Sequence, residues 1–210
     1  MKPRSEARSS LLSAAAAVLL AACAAAPPAP PAPSAAPAPG VAPATTDTGA
    51  MPAPPPLEAP TRPSLGLFSR IKAPSEVEPV LEMAATGVQI FRCETDKENT
   101  HWVFRLPEAE LRDARGQLVG HHGANYSFEH IDGSRLIGTI VGNDSAPGEN
   151  SLRWLLLRTQ SYGQGEFDKI TYVQRVETSG GTPPAQCSAD QVNQILRVPF
   201  SAKFIFYRPR

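Results

Sequence analysis

The 210-residue sequence predicts an all-β domain, an antiparallel β-sandwich or open barrel with at most one short helix. Three observations predict it. First, Val198, Phe200, Ala202, Phe204 and Phe206 share one parity near the C-terminus, the period of two expected of a strand with one buried face. Ile205 and Tyr207 add apolar residues to the other parity at the end of that run. Second, short runs rich in β-branched and aromatic residues recur at 88–91, 101–106, 152–157 and 170–176. Third, turn residues separate such runs. Asp132-Gly133 predicts a hairpin between 126–131 and 135–141. Arg115-Gly116 and Gly142-Asn143-Asp144 predict further turns. Trp102, Phe104 and Leu106 alternate like the C-terminal run and are expected on one face. The single helical signal is Ser188 with Gln191 three residues on, a capping box that could start two turns over 189–196.

Upstream of this domain the chain reads as an address and a spacer. Lys2, Arg4 and Arg8 precede an apolar run at residues 11–22. A transmembrane helix needs about 20 residues, so this run has the length of a signal-peptide core instead. Leu20-Ala21-Ala22-Cys23 resembles the lipobox of bacterial lipoproteins: small residues before the cut, then a thiol that accepts diacylglycerol. Cleavage there frees the Cys23 amine for another acyl chain, and two or more chains anchor stably where one is marginal. The residue after Cys23 is Ala24 rather than the aspartate that favours inner-membrane retention, so the expected destination is the outer membrane, facing the periplasm or the surface.

Of 23 prolines, 14 lie between Pro27 and Pro63. Proline fixes φ and removes an amide donor, so neither helix nor sheet is expected there. The segment reads as an extended spacer of roughly 120 Å at most, at about 3.1 Å per residue. The expected organisation is therefore a signal peptide at 1–22, a lipidated cysteine and Pro/Ala-rich tether at 23–73, and a β-rich domain at 74–210. Residues 65–68, Leu-Gly-Leu-Phe, are either tether or a segment that docks back on the domain. Formal net charge is zero, and removal of the basic leader leaves the remainder near −2. The domain has no basic stripe, so nucleic acid is not an expected partner. Cys93 and Cys187 are the two cysteines left after Cys23. They either pair or stay as buried thiols, and an oxidising compartment favours the pair.

Residues 85–93, Ala-Thr-Gly-Val-Gln-Ile-Phe-Arg-Cys, resemble the opening motif of the bacterial and fungal family called domain of unknown function 3455. Trp102-Val103-Phe104 with Pro107-Glu108-Ala109, then Gly120 and His122, Asp132-Gly133-Ser134, and Trp154-Leu155-Leu156-Leu157 are similar to its later motifs, in order. Gln174-Arg175-Val176, Thr178, Gly180-Gly181, Pro184 and Cys187 complete the resemblance, which spans most of 84–207. It implies an extracytoplasmic β-rich domain and no established activity. Where the family tends to have Gly-Pro-Thr-Trp, this chain has Asn125-Tyr126-Ser127-Phe128, so a family site lined by that stretch would be altered.

Candidate chemistry is sparse. His121, His122, Glu129, His130 and Asp132 form a metal-like set by composition. If 123–125 is a hairpin loop, His122 sits opposite Tyr126, and His130 lies about four residues further, roughly 13 Å at strand rise. His121 points to the other face. Three ligands at about 2 Å from one ion are then hard to assemble, and neither a metal nor a cofactor is expected. Ser134, His122 and Asp132 supply the residue types of a hydrolase triad, but triads are defined by geometry. No Gly-x-Ser-x-Gly elbow, phosphate loop or dinucleotide fingerprint is present. Arg175 could pair a buried carboxylate or clamp an anion. Trp102, Trp154, Tyr126 and Phe128 could pack the core or form a sugar-stacking face. The expected function is a membrane-tethered envelope module that binds a ligand, glycan or protein partner, with His122, Arg175 and Asp132 as candidate binding residues. The alternative is an envelope-acting hydrolase or other enzyme with His122 as its base.

Overall fold

The computed structural model describes residues 59–210 except 98. The expected signal peptide, Cys23 and most of the expected tether lie outside the described residues. Eight antiparallel strands run in chain order: β1 Val77–Asp96, β2 Asn99–Arg112, β3 Leu118–Gly123, β4 Ser127–His130, β5 Arg135–Asp144, β6 Trp154–Tyr162, β7 Tyr172–Gly180 and β8 Ile195–Pro209. Each pairs with its neighbour, and β8 returns to β1, from Val77 opposite Pro209 to Arg92 opposite Ile195. The sheet is thereby a closed barrel, the barrel form of the expected all-β class with its last edge sealed.

The parity of β8 explains the interior. Phe200, Ala202, Phe204 and Phe206 point inward and are buried with Met83, Ala85, Leu111, Phe128, Leu136, Leu155, Leu157 and Val173. Phe128, Phe204, Phe206 and Phe167 pack as a cluster, with ring centroids 5.0–5.6 Å apart. Phe167 comes from the β6–β7 connection and reaches in to stack on Phe206. Ile205 and Tyr207 belong to the opposite parity because the outer face of β6, β7 and β8 is covered too. Ile71 is fully buried there against Val77, Leu156, Val176, Ile205 and Tyr207, with Leu65 and Ala73 beside it.

The covering strap is residues 62–73. The Gln174 side chain, buried outside the barrel, donates to the Ile71 carbonyl and accepts from the Tyr207 hydroxyl at 2.6 Å. The Arg62 guanidinium lies 5.4 Å over the Tyr207 ring. Residues 65–68 are thus divided: Leu65 docks on the domain, while Leu67 and Phe68 stand exposed.

Three local expectations change. Gly142 to Asp144 is not a turn but the end of β5. Gly142 follows a bulge, and a Cβ there would lie 2.1 Å from the Arg70 carbonyl oxygen of the crossing strap. Close backbone approach, not chain reversal, requires that glycine. The two-turn helix at 189–196 shrinks to one 3-10 turn, Ala189–Gln191, because β8 begins at Ile195. Its capping box survives: Gln191 Oε1 accepts from the Ser188 backbone N–H at 3.0 Å. In β2, register shifts so that Ile90 faces Leu106 but Phe91 faces Phe104. Arg105 is the extra residue. The inward side passes from Phe104 to Pro107, Ala109 and Leu111, so Leu106 leaves the face that it was expected to share with Phe104.

Cys93 and Cys187 are disulfide-bonded, with Cα atoms 6.1 Å apart across 94 residues of sequence. The bond ties β1 to the β7–β8 connection. Thr100 Oγ1 donates to the Cys187 carbonyl, and Asn193 N–H donates to the Cys93 carbonyl at 2.9 Å.

Candidate ligand-binding site at one end of the barrel

An eight-stranded barrel has an interior just wide enough to be filled by side chains or to hold one small ligand. This barrel does both, at opposite ends. The aromatic cluster fills one half. Beyond it, where β1, β3, β5 and β7 finish, an open cavity of about 540 Å³ remains. Phe91, Phe104, Pro107, Ile140, Leu152 and Leu155 make most of its wall apolar. Gln89, His122, Tyr126 and Arg175 supply polar groups, and Gly181 to Pro183 form part of the rim. Volumes of about 300–1,000 Å³ with a few convergent polar groups are usual for small-molecule sites.

Arg175 is the residue with most to explain. It points inward from β7 and is only 8% exposed. Its Nε and Nη2 donate to the Arg153 carbonyl oxygen at 3.2 and 2.9 Å. Among the described residues it has no carboxylate within ion-pair distance. The reading of Arg175 as half of a buried ion pair is therefore replaced: the fork is held by a main-chain carbonyl, and the remaining N–H groups have no protein anion to meet. Burial lowers its pKa to about 10, which leaves it charged near neutral pH. An uncompensated buried charge costs several kcal/mol in typical proteins, on the order of 3–5.

Gln89 is the residue that sequence reasoning missed. It is 4% exposed on β1, lines the cavity, and its Nε2 has no hydrogen-bond partner among the described residues. The available signal was its position, a polar residue on the inward parity between Gly87 and Phe91.

His122 is buried at the inner wall of the cavity, its ring stacked on Phe128 at 4.4 Å and edge-on to Phe204 at 5.1 Å. Nδ1 lies 2.8 Å from the Ser127 carbonyl. A carbonyl only accepts, so Nδ1 carries the hydrogen and Nε2 keeps its lone pair. Burial lowers the His122 pKa to about 4; the Ser127 bond works the other way, and the Arg175 charge adds to the lowering. A general base works best with a pKa near the working pH, so this imidazole is a poor proton acceptor at neutrality. The expected hairpin register also moves. His122 faces Phe128, not Tyr126, because Ala124–Tyr126 forms a 3-10 turn with Asn125 and Tyr126 at positive φ.

Asp132 lies at the other end of the barrel, in the β4–β5 turn, and joins neither His122 nor Arg175. Its Oδ1 accepts from Ser134 N and Oγ at 2.8 and 2.6 Å, and its Oδ2 accepts from Glu166 N at 2.8 Å. His130 Nδ1 is 2.9 Å from Oδ2. Burial raises its pKa, but these bonds prevail and hold the carboxyl well below the usual range. Serine and histidine both bond to the aspartate rather than to one another, which is not the relay of a nucleophilic triad. The cluster ties the β4–β5 turn to the β6–β7 connection. Among the described residues no three His, Cys, Asp or Glu side chains are grouped to hold a metal ion. The four proposed stacking aromatics are dispersed: Phe128 in the core, Trp154 against the outer cluster, Tyr126 at the cavity and Trp102 opposite Cys93.

Fold and site together define a small antiparallel β-barrel domain with a ligand-sized cavity at one end and a packed aromatic plug at the other. The chain belongs to the family described as Protein of unknown function (DUF3455), whose pattern matches residues 74–208. Among curated proteins and solved structures, none matches the chain.

Proposed function

We infer that this protein is an envelope lipoprotein, anchored through Cys23, whose barrel captures a small molecule in its end cavity rather than transforming it. One observation carries the reading: among the described residues, the cavity's buried guanidinium has no carboxylate partner and its buried amide nitrogen has no hydrogen-bond partner. Groups left in that state lower stability unless something else meets them. The signal and lipobox pattern, with the proline-rich spacer, supports a tethered module outside the cytoplasm.

The test is a thermal-shift panel on the full secreted chain carrying Cys23→Ser, with its disulfide oxidised. Peptidoglycan fragments, glycans, small carboxylates and fatty acids make up the panel. A ligand at one hundred times its dissociation constant adds about 2.7 kcal/mol, a readable shift. A hit abolished by Phe104→Arg at the cavity wall supports the reading. A folded protein that answers none of the panel, or whose hits ignore that substitution, overturns it.

A further inference from the structure

We propose that the end cavity takes an amphipathic monoanion, a carboxylate carried on an apolar body, with the carboxylate on Arg175 and Gln89. The inference rests on the small-molecule reading above and names the chemical class.

The charge argument comes first. Guanidinium presents five N–H donors in a planar fork that suits a carboxylate. In Arg175 two nitrogens, Nε and Nη2, are committed to the Arg153 carbonyl, which fixes the plane of the fork. Nη1 makes no hydrogen bond among the described residues and remains for a ligand. Gln89 Nε2, buried and without a partner among the described residues, adds a neutral donor to the lining of the same cavity. His122 adds no second positive charge, because its buried ring is neutral. One inward cation and one amide donor match one negative charge. A phosphate dianion is ordinarily met by clusters of buried basic groups; among the described lining residues the other arginine, Arg153, is exposed.

The body of the ligand follows from the rest of the wall. Phe91, Phe104, Ile140, Leu152 and Leu155 offer apolar and aromatic surface around the polar spot. Phe91 and Phe104 meet edge to face at 5.7 Å, and Phe104, which lines the cavity, remains 44% exposed. The exposed ring at the mouth and the charged spot within suit a molecule that enters head first. The closed end below is occupied by the Phe128 and Phe204 rings, so a long chain cannot thread through the barrel.

The experiment compares octanoate, 1-octanol and inorganic phosphate by calorimetry on the Cys23→Ser chain, which needs no detergent. Hydrogen bonds to a charged group contribute about 1.5–3 kcal/mol, so octanoate should bind at least about tenfold more tightly than 1-octanol. Arg175→Gln should erase that preference. Gln89→Leu leaves the Arg175–Arg153 bonds in place and should weaken octanoate several-fold while sparing 1-octanol, which keeps the test decisive if Arg175→Gln misfolds. Equal binding of acid and alcohol, with both variants unaffected, overturns the anion assignment and leaves small-molecule capture standing. Phosphate binding without octanoate binding overturns the amphiphile. If no probe here and no member of the earlier panel binds, both readings fall.

Discussion

The imidazole of His122 stacks on the ring of Phe128 at a centroid distance of 4.4 Å and an interplanar angle of 19°. That contact places a titratable group inside an aromatic core. In the unfolded chain His122 protonates near 6.5, whereas in the barrel it resists protonation until about 4. Between those values the unfolded state binds the extra proton. The stability contributed by neutral His122 is therefore complete above pH 6.5 and is lost as pH falls toward 4. Up to about 3 kcal/mol is at stake. Urea midpoints measured from pH 8 to pH 4 should fall, and His122→Gln should flatten the profile in that window. An unchanged slope in the variant would assign the effect elsewhere. Asp132, with its pKa lowered, acts in the other window, losing its contribution only at and below the ordinary carboxylate range.

Gly142→Ala should be costly although Gly142 itself does not line the cavity. The added Cβ would sit 2.1 Å from the Arg70 carbonyl, a backbone atom that cannot rotate away. The strap must lift, which should cost about 1–3 kcal/mol, as overpacking usually does. Limited proteolysis should then cut within residues 62–73 at a protease dose that spares the parent.

Reduction of Cys93–Cys187, or Cys187→Ala with Cys93→Ala, should lower stability by about 2–5 kcal/mol. The bond joins residues 94 apart in sequence and holds the β7–β8 connection, whose first residues form part of the cavity rim. Denaturation with and without dithiothreitol measures the loss, and a reduced protein of equal stability would contradict it.

Asp132→Ala should unfold locally rather than blunt binding. Ser134 and Glu166 N–H groups would lose their acceptor, and hydrogen exchange should rise at the β4–β5 turn and the β6–β7 connection. Ligand affinity in the cavity should stay within about twofold, as expected of sites that share no partners.

Cys23→Ala should shift the chain from the membrane fraction to the soluble envelope fraction in a lipoprotein-competent bacterium. Unchanged membrane partitioning would remove the anchor from the account.

Much of the wall of the barrel was legible in residue order. The parity of Val198 to Phe206 marks the inward face of β8, and Asp132-Gly133 marks the β4–β5 hairpin. β3 was hard to read because Gly120-His121-His122-Gly123 lacks β-branched residues. The face of Leu106 was misread because a bulge is one extra residue in a pairing that only the partner strand reveals. Gly142 carried a turn's composition for a reason that lies in the strap, some seventy residues away. At the site, His122 and Arg175 stood out by residue type. Gln89 did not, since burial without a partner is a property of surroundings. Asp132 looked like their companion because sequence proximity to His130 and Ser134 conceals which end of a barrel a turn occupies.

The seam between β1 and β8 sets a timetable. Arg92 cannot find Ile195, nor Val77 find Pro209, until the C-terminal strand exists. Loop closure on that scale slows folding, and contacts between distant residues form late. A nascent chain would carry two raw strand edges until β8 is made. That delay makes any truncation of β8 a recipe for strand-to-strand clumping rather than for a smaller barrel.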